Sequence, residues 1–297
     1  MCQYYGDIDT THRSNRNYLP TRRSSSHTVT RRNPTLVRPQ SMCLILVAKD
    51  VHSCYPLIII ANREEYHSRP TQSLSFWHDH PTIAAGRDLT AGGTWFGLNL
   101  QGLFAAVTNF QEPTVTVRSD YSRGMLVLDW LRQKTEPADS HLRNHDQLQR
   151  YPGVNVISGN ITTLWWDSNR ASAPRRIPSG ISGLSNSLLN SPWHKIVYGK
   201  QLFKTILNRS FRSDTFFELL SNRTPAKGID ARNSGCSPDL PAAQSAIFIK
   251  GPVYGTRSST VLLVDQQNQV QLVERSYDPE GTILGENRLN FQLQPIA

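Results

Sequence analysis

A cysteine directly after a methionine has the most distinctive chemistry in this chain. Removal of Met42 would leave Cys43 with its own α-amine. Such an amine, with a pKa near about 7.7–8.0, can take the thiol proton at neutral pH, so nucleophile and base become one residue. The same cysteine also reads as a small apolar residue in a core strand, the usual place of unpaired cysteines. The dipeptide alone does not decide between them, because Met1-Cys2 repeats it at the head of a stretch with no strand pattern.

Asn62-Arg63-Glu64-Glu65 follows the apolar run Leu57–Ala61 and is read as ending a strand. Arg63 would favour a thiolate, and the Glu65 carboxylate could accept a hydrogen bond from the α-amine. The alternative is a solvated strand end whose ion pairs contribute little. Asn109 closes another apolar run and can offer its amide to a developing oxyanion. Asn186, in Gly183-Leu-Ser-Asn186, admits the same role, and each asparagine also reads as a turn former.

Gly86-Arg-Asp88 and Gly92-Gly-Thr-Trp-Phe-Gly97 read as a turn feeding a strand, with glycines that permit positive φ or close backbone approach. This is no phosphate loop, since no Gly-Lys-Ser/Thr follows and no helix opens there. His78-Asp79-His80 lacks further ligands at helical spacing and is read as an exposed loop rather than a metal site. Arg257 is read as binding an anion or pairing with an acid.

Positioning these residues needs strands first. Runs at 43–49, 56–61, 94–99, 103–108, 154–158 and 161–166 carry the apolar and β-branched composition of strands, with turn signals at Gly102 and Gly159-Asn160. Helices are expected at 122–133, with Asp120 or Ser122 as cap, and at 193–209, opened by Ser191-Pro192. The second carries Ile196, Val197, Phe203, Ile206 and Leu207 on one stripe. Asp214 is expected to cap a shorter helix at 215–221, and a loop at 222–244 precedes strands at 245–250, 259–265 and 269–275. Strands, helices and strands again predict an α+β layered fold, with 42–297 as one domain.

Residues 1–41 differ in texture. Seven arginines against Asp7 and Asp9 give them a net charge of 7 − 2 = +5, out of +9 for the whole chain. With few large apolar residues and no period, this stretch is expected to be a disordered basic extension. Three readings of it stay open: a mitochondrial presequence, a basic tail, or a start set upstream of the true initiator Met42. Four cysteines without a Cys-x-x-Cys pair, no signal-peptide core and no span-length apolar run predict an intracellular protein with reduced thiols. The core charge of 9 − 5 = +4, without a basic-aromatic module, argues against a nucleic-acid partner.

Taken in order, Met42-Cys43, Ala61-Asn-Arg-Glu-Glu65, Arg69-Pro-Thr71, Gly86-Arg-Asp88, Gly92-Gly-Thr-Trp95, Thr108-Asn109, Gly183-Leu-Ser-Asn-Ser187, Pro192-Trp193 and Tyr254-Gly-Thr-Arg-Ser-Ser-Thr-Val261 span nearly all of 42–297. This set closely resembles the NRDE family, whose eukaryotic members are the transport and Golgi organisation protein two homologues. One departure is plain: Glu64 stands where the family has aspartate, so that carboxylate lies one methylene further out.

The resemblance implies a four-layer αββα sandwich of the N-terminal-nucleophile hydrolase type, most like the choloylglycine and penicillin V acylase group. It places Cys43 on the nucleophile, Arg63 on the arginine beside it, Asn109 on the oxyanion asparagine and Asn186 on a second active-site asparagine. Glu65 falls on that group's aspartate only with a one-residue shift. It further implies a role in Golgi organisation and secretion, with mitochondrial, lipid or acyl-CoA, and haem-handling roles also in view. Two functions are compatible with it: a cysteine amidase or thioesterase, or a non-catalytic carrier of acyl chains, acyl-CoA or haem in the same pocket. The expected partner is a small molecule of those classes, with no cofactor, no nucleic acid and no stable membrane insertion. The expected location is cytoplasmic, with Golgi or mitochondrial association.

Overall fold

The computed structural model describes residues 43–112, 121–134, 145–227 and 242–294. The basic extension 1–41, the Asp120 cap, Cys236 and the centre of the loop 222–244 lie outside the described residues.

Two antiparallel sheets form the frame. The first holds β1 (Leu44–Lys49), β2 (Leu57–Tyr66), β10 (Gly180–Leu184), β11 (Tyr254–Val264), β12 (Gln269–Tyr277) and β13 (Ile283–Gln292), in the order β10-β1-β2-β11-β12-β13. The second runs β3 to β9 in chain order: Thr71–Phe76, Ile83–Asp88, Phe96–Asn99, Leu103–Asn109, Val154–Asn160, Leu164–Ser168 and Arg175–Arg176. Helices α1 (Arg123–Leu131), α2 (His194–Leu207) and α3 (Ser213–Leu220), all among the described residues, flank them.

Strand alternation builds the layers. Ile45, Val47, Ile59 and Leu262 of the first sheet meet Phe96, Phe104, Ile157 and Trp166 of the second in one buried cluster. The alternate residues Leu44, Leu46, Ile58 and Ile60 pack outward on Ile196 and Phe203 of α2 and Phe216 and Leu220 of α3. Ala85, Leu103 and Ala105 turn the other way, onto Val127 and Leu131 of α1. Each large apolar side chain so buried contributes about 1.5–3 kcal/mol. The result is the four-layer αββα sandwich that the resemblance implies, in the order helices, sheet, sheet, helix.

Several elements differ from the sequence reading. β2 does not stop at Ala61; it continues to Tyr66, paired with β11 throughout apart from a bulge between Thr256 and Ser258. The Asn62–Glu65 motif is therefore inside a strand. Ser191-Pro192 does not open α2, which starts at His194 after Trp193, and Val197 on the expected stripe is 44% exposed. The run 245–250 is buried over its first five residues but forms no strand. Its backbone is met partly by side chains, with Asn62 donating to the Ile247 carbonyl and the Ile249 N–H donating to Thr256 Oγ1, and partly by isolated backbone bonds such as Phe248 N–H to the Asn222 carbonyl. Among the described residues no helix is long and apolar enough to cross a membrane.

Candidate active site

Cys43 immediately precedes β1, whose register sets Leu44 beside Asn62, so Cys43 comes level with Arg63. Both belong to the alternate set facing the second sheet. There a cavity of about 380 Å³ is bordered by Cys43, Arg63, Glu65, Trp95, Asn109 and Arg123, among others. Cys43 is half-buried, and its backbone carbonyl accepts a 2.6 Å hydrogen bond from Ser185 Oγ, which fixes the chain just before β1.

Arg63 is buried and lies flat over the Trp95 ring, 4.1 Å from its centroid. A stacked guanidinium keeps its charge while losing freedom to swing away. Gly86 makes room for that ring: a Cβ there would come within 2.6 Å of the Trp95 side chain. Glu65 lies between two cations, with Oε2 3.7 Å from Arg63 and 3.8 Å from Arg69, while its Oε1 accepts from the Tyr66 N–H. Arg69 in turn donates through Nε and Nη2 to Asp88 Oδ2. Burial works against charge on Asp88, but Arg69 and the Thr90 N–H outweigh it and hold the carboxyl below its usual range.

The two asparagines are brought together but placed differently. Asn109, at the end of β6, borders the cavity. Asn186 is fully buried behind it; its amide donates 2.8 Å to the Asn109 carbonyl, and its Oδ1 accepts from Ser185. The expected second active-site asparagine thus braces the first.

Glu64 points the opposite way from its neighbours. The residue borders the cavity, yet its buried carboxylate accepts from Thr256 Oγ1 at 3.1 Å. Burial pushes this carboxyl up to about 7 against the pull of Lys195. The residue that departs from the family motif therefore sits on the helix side of the sheet.

Arg123 received no role from the sequence. It opens α1, its Nε donates to the Gly153 carbonyl at 3.1 Å, and it feels the charges of Glu112, Cys43 and Glu65. A close backbone approach puts it there: the Thr94 N–H donates to the Gly124 carbonyl, and a Cβ on Gly93 would meet Gly124 at 2.4 Å. Gly92 takes the positive φ (+78°) expected of that glycine pair. One signal was available, since an arginine in the first turn opposes the helix dipole and α1 has no acid there.

The remaining candidates resolve into structure. Asp79 is held by Arg87 and His80 by Arg132. No group of three or more His, Cys, Asp or Glu among the described residues is arranged to hold a metal ion. Arg257 Nη1 donates to the carbonyls of Tyr66, His67 and Arg69 and so fixes the turn after β2.

A family model described as Transport and Golgi organisation 2 matches residues 42–279. The Transport and Golgi organization protein 2 homolog of Homo sapiens is 31% identical over 257 residues, covering 79% of this chain and 93% of that one. The Transport and Golgi organization protein 2 of Drosophila melanogaster is 28% identical over 280 residues, covering 81% and 95%. Among solved structures, a variant of conjugated bile acid hydrolase from Clostridium perfringens is similar at a TM-score of 0.45 and 9% identity, covering 85% of this chain and 98% of that one. Penicillin V acylase from Agrobacterium tumefaciens is similar at 0.43 and 11%, covering 84% and 86%.

Proposed function

This chain belongs to the Transport and Golgi organisation 2 family, and on that premise we propose a factor of Golgi organisation and secretion whose Cys43 cavity hydrolyses an acyl amide or thioester. The observation that supports the chemistry is the convergence of Cys43, Arg63, Arg123 and Asn109 on one cavity.

The reaction requires Cys43 to carry a free α-amine, which exists only when Cys43 is the first residue. The amine takes the thiol proton, and Arg63 and Arg123 favour the resulting thiolate. Sulfur attacks the carbonyl carbon, forming a C–S bond and moving the carbonyl electrons onto oxygen. Asn109, braced by Asn186, donates to that oxyanion. Collapse breaks the bond to the leaving amine or thiol, which takes the proton from the α-ammonium. Water then attacks the acyl-cysteine, gives its proton to the α-amine, and releases the acid and the thiol. Glu65 accepts from the α-ammonium and holds it in place.

Intact-mass analysis of the protein from its native cell tests this, together with labelling by a thiol-reactive acyl probe. A mature terminus at Cys43 and labelling lost in Cys43→Ala are expected. A terminus upstream of Cys43, or a Cys43→Ala protein with full biological function, would overturn it. The alternative, a carrier of an acyl chain, acyl-CoA or haem in the same cavity, would then hold.

A further inference from the structure

A second cavity, of about 200 Å³, lies on the outer face of the seven-stranded sheet beside α1. Three aromatic rings border it, those of Trp130, Tyr151 and Trp165, together with Asp129, Gln133 and Asp167. Strand alternation places the last group: Trp166 faces the inter-sheet core, so Trp165 and Asp167 on either side of it face outward.

The polar groups here are acceptors in want of donors. Asp167 is only 5% exposed; its Oδ1 is paired with His145 Nδ1 and the Ser168 N–H, each at 2.7 Å. Its Oδ2 is buried and has no hydrogen-bond partner among the described residues. The same holds for Gln133 Oε1, while Gln133 Nε2 donates to the Asp129 carbonyl at 3.3 Å. A buried acceptor left unsatisfied costs about 1–3 kcal/mol, so each such group in a native fold asks for a partner. Among the described residues no lysine or arginine borders the cavity; Arg132 meets Asp129 from outside it, at 3.6 Å. Two carboxylates disfavour an anion, and aromatic faces attract a cation.

We propose that this cavity binds a small primary ammonium ion carried on an apolar or aromatic body. The ammonium donates to Asp167 Oδ2 and Gln133 Oε1, Asp129 supplies charge at the rim, and the rings enclose the body. Tyr151 also touches Tyr121, with ring centroids 5.7 Å apart, and Tyr121 borders the Cys43 cavity. The two cavities are therefore neighbours, but the ammonium site does not depend on any chemistry at Cys43.

Titration of the full chain with phenethylammonium chloride, followed by calorimetry and by the indole N–H signals of Trp130 and Trp165, tests this. Saturable binding that shifts both indoles is expected, and it should persist in Cys43→Ala. The neutral isostere 2-phenylethanol should bind at least about tenfold more weakly, as should phenethylammonium to Asp167→Asn. Asp129 is exposed, so Asp129→Asn should weaken binding severalfold without changing the melting temperature. It carries the test if Asp167→Asn fails to fold. No saturable binding, equal binding of the alcohol, or unchanged affinity in the folded variants would overturn the proposal.

Discussion

The side-chain amide of Asn186 donates to the backbone carbonyl of Asn109, and the Gln111 N–H returns a bond to the Asn186 carbonyl at 2.7 Å. The loop after β10 is thereby tied to the end of β6, across the gap between the two sheets. Position 109 is thus held from behind by a residue with no solvent exposure. Replacing Asn186 with leucine removes the donor to the Asn109 carbonyl, and should lower stability by about 1–3 kcal/mol in urea denaturation. Asn109→Ala should leave stability nearly unchanged and reduce acyl hydrolysis by about 10²–10³ if its amide meets the oxyanion. Equal stability losses in both would count against this division of roles.

Arg63 should tune the Cys43 thiol. Its guanidinium is fixed on Trp95 rather than bound bidentately to an acid, so its charge is available to a thiolate. Arg63→Met should slow alkylation of Cys43 by iodoacetamide at neutral pH by about tenfold, the equivalent of one pKa unit. Arg63→Lys keeps the charge but loses the planar stack, and should fall between the two. Identical rates in all three proteins would show that Arg63 does not act on the thiol.

Gly93 sets the position of Arg123. A Cβ there would meet the Gly124 backbone, which cannot yield as a flexible side chain would. Gly93→Ala should cost about 1–3 kcal/mol through overpacking and turn the start of α1 away from the cavity. Thermal unfolding reads the first effect, and the alkylation rate of Cys43 reads the second. A variant with wild-type values of both would place the control of Arg123 elsewhere.

Glu274 carries a pH dependence of stability. It is buried between the sheets, where its Oε1 accepts from the Leu74 N–H at 2.8 Å. Burial pushes its carboxyl up to about 7, against the pull of that N–H and of Arg63. Above its usual 4.5, the unfolded chain has lost a proton that the folded chain still holds. Stability should therefore fall as pH rises from about 4.5 to about 7, with no further contribution from this group on either side. His67, held down by burial and then by Arg257, works in the opposite sense over part of that window. The test is therefore the difference between wild type and Glu274→Gln: wild type should lose ground to the variant as pH rises. Parallel stability curves would place Glu274 ionised in the fold.

The strands of the core were legible because burial and alternation leave a mark on residue type. β1, β5, β6, β7, β11 and β12 overlap the runs read from the sequence, and so do α1, α2 and α3. β13 left no such mark: from Ile283 to Arg288 every residue is exposed, so nothing selects an apolar pattern, and the strand exists because β12 offers it an edge. β10 is built from Gly-Ile-Ser-Gly-Leu, small residues that let α2 sit close and that read equally well as a turn. The run 245–250 failed in the other direction, since an apolar run reports burial and says nothing about pairing.

By itself the sequence determined that Cys43 stands at the head of a buried strand, and that Arg63, Glu65, Asn109 and Asn186 belong to one ordered set of motifs. Tertiary structure decided how they divide. Continuation of β2 through its motif sent Arg63 and Glu65 to the cavity and Glu64 to the helices, because neighbouring residues of a strand face opposite ways. Loop closure put Asn186 behind Asn109, and two glycines in contact delivered Arg123 from 80 residues downstream of Cys43. Such placements depend on contacts between residues far apart in the chain, and residue type and spacing along one segment carry no record of them.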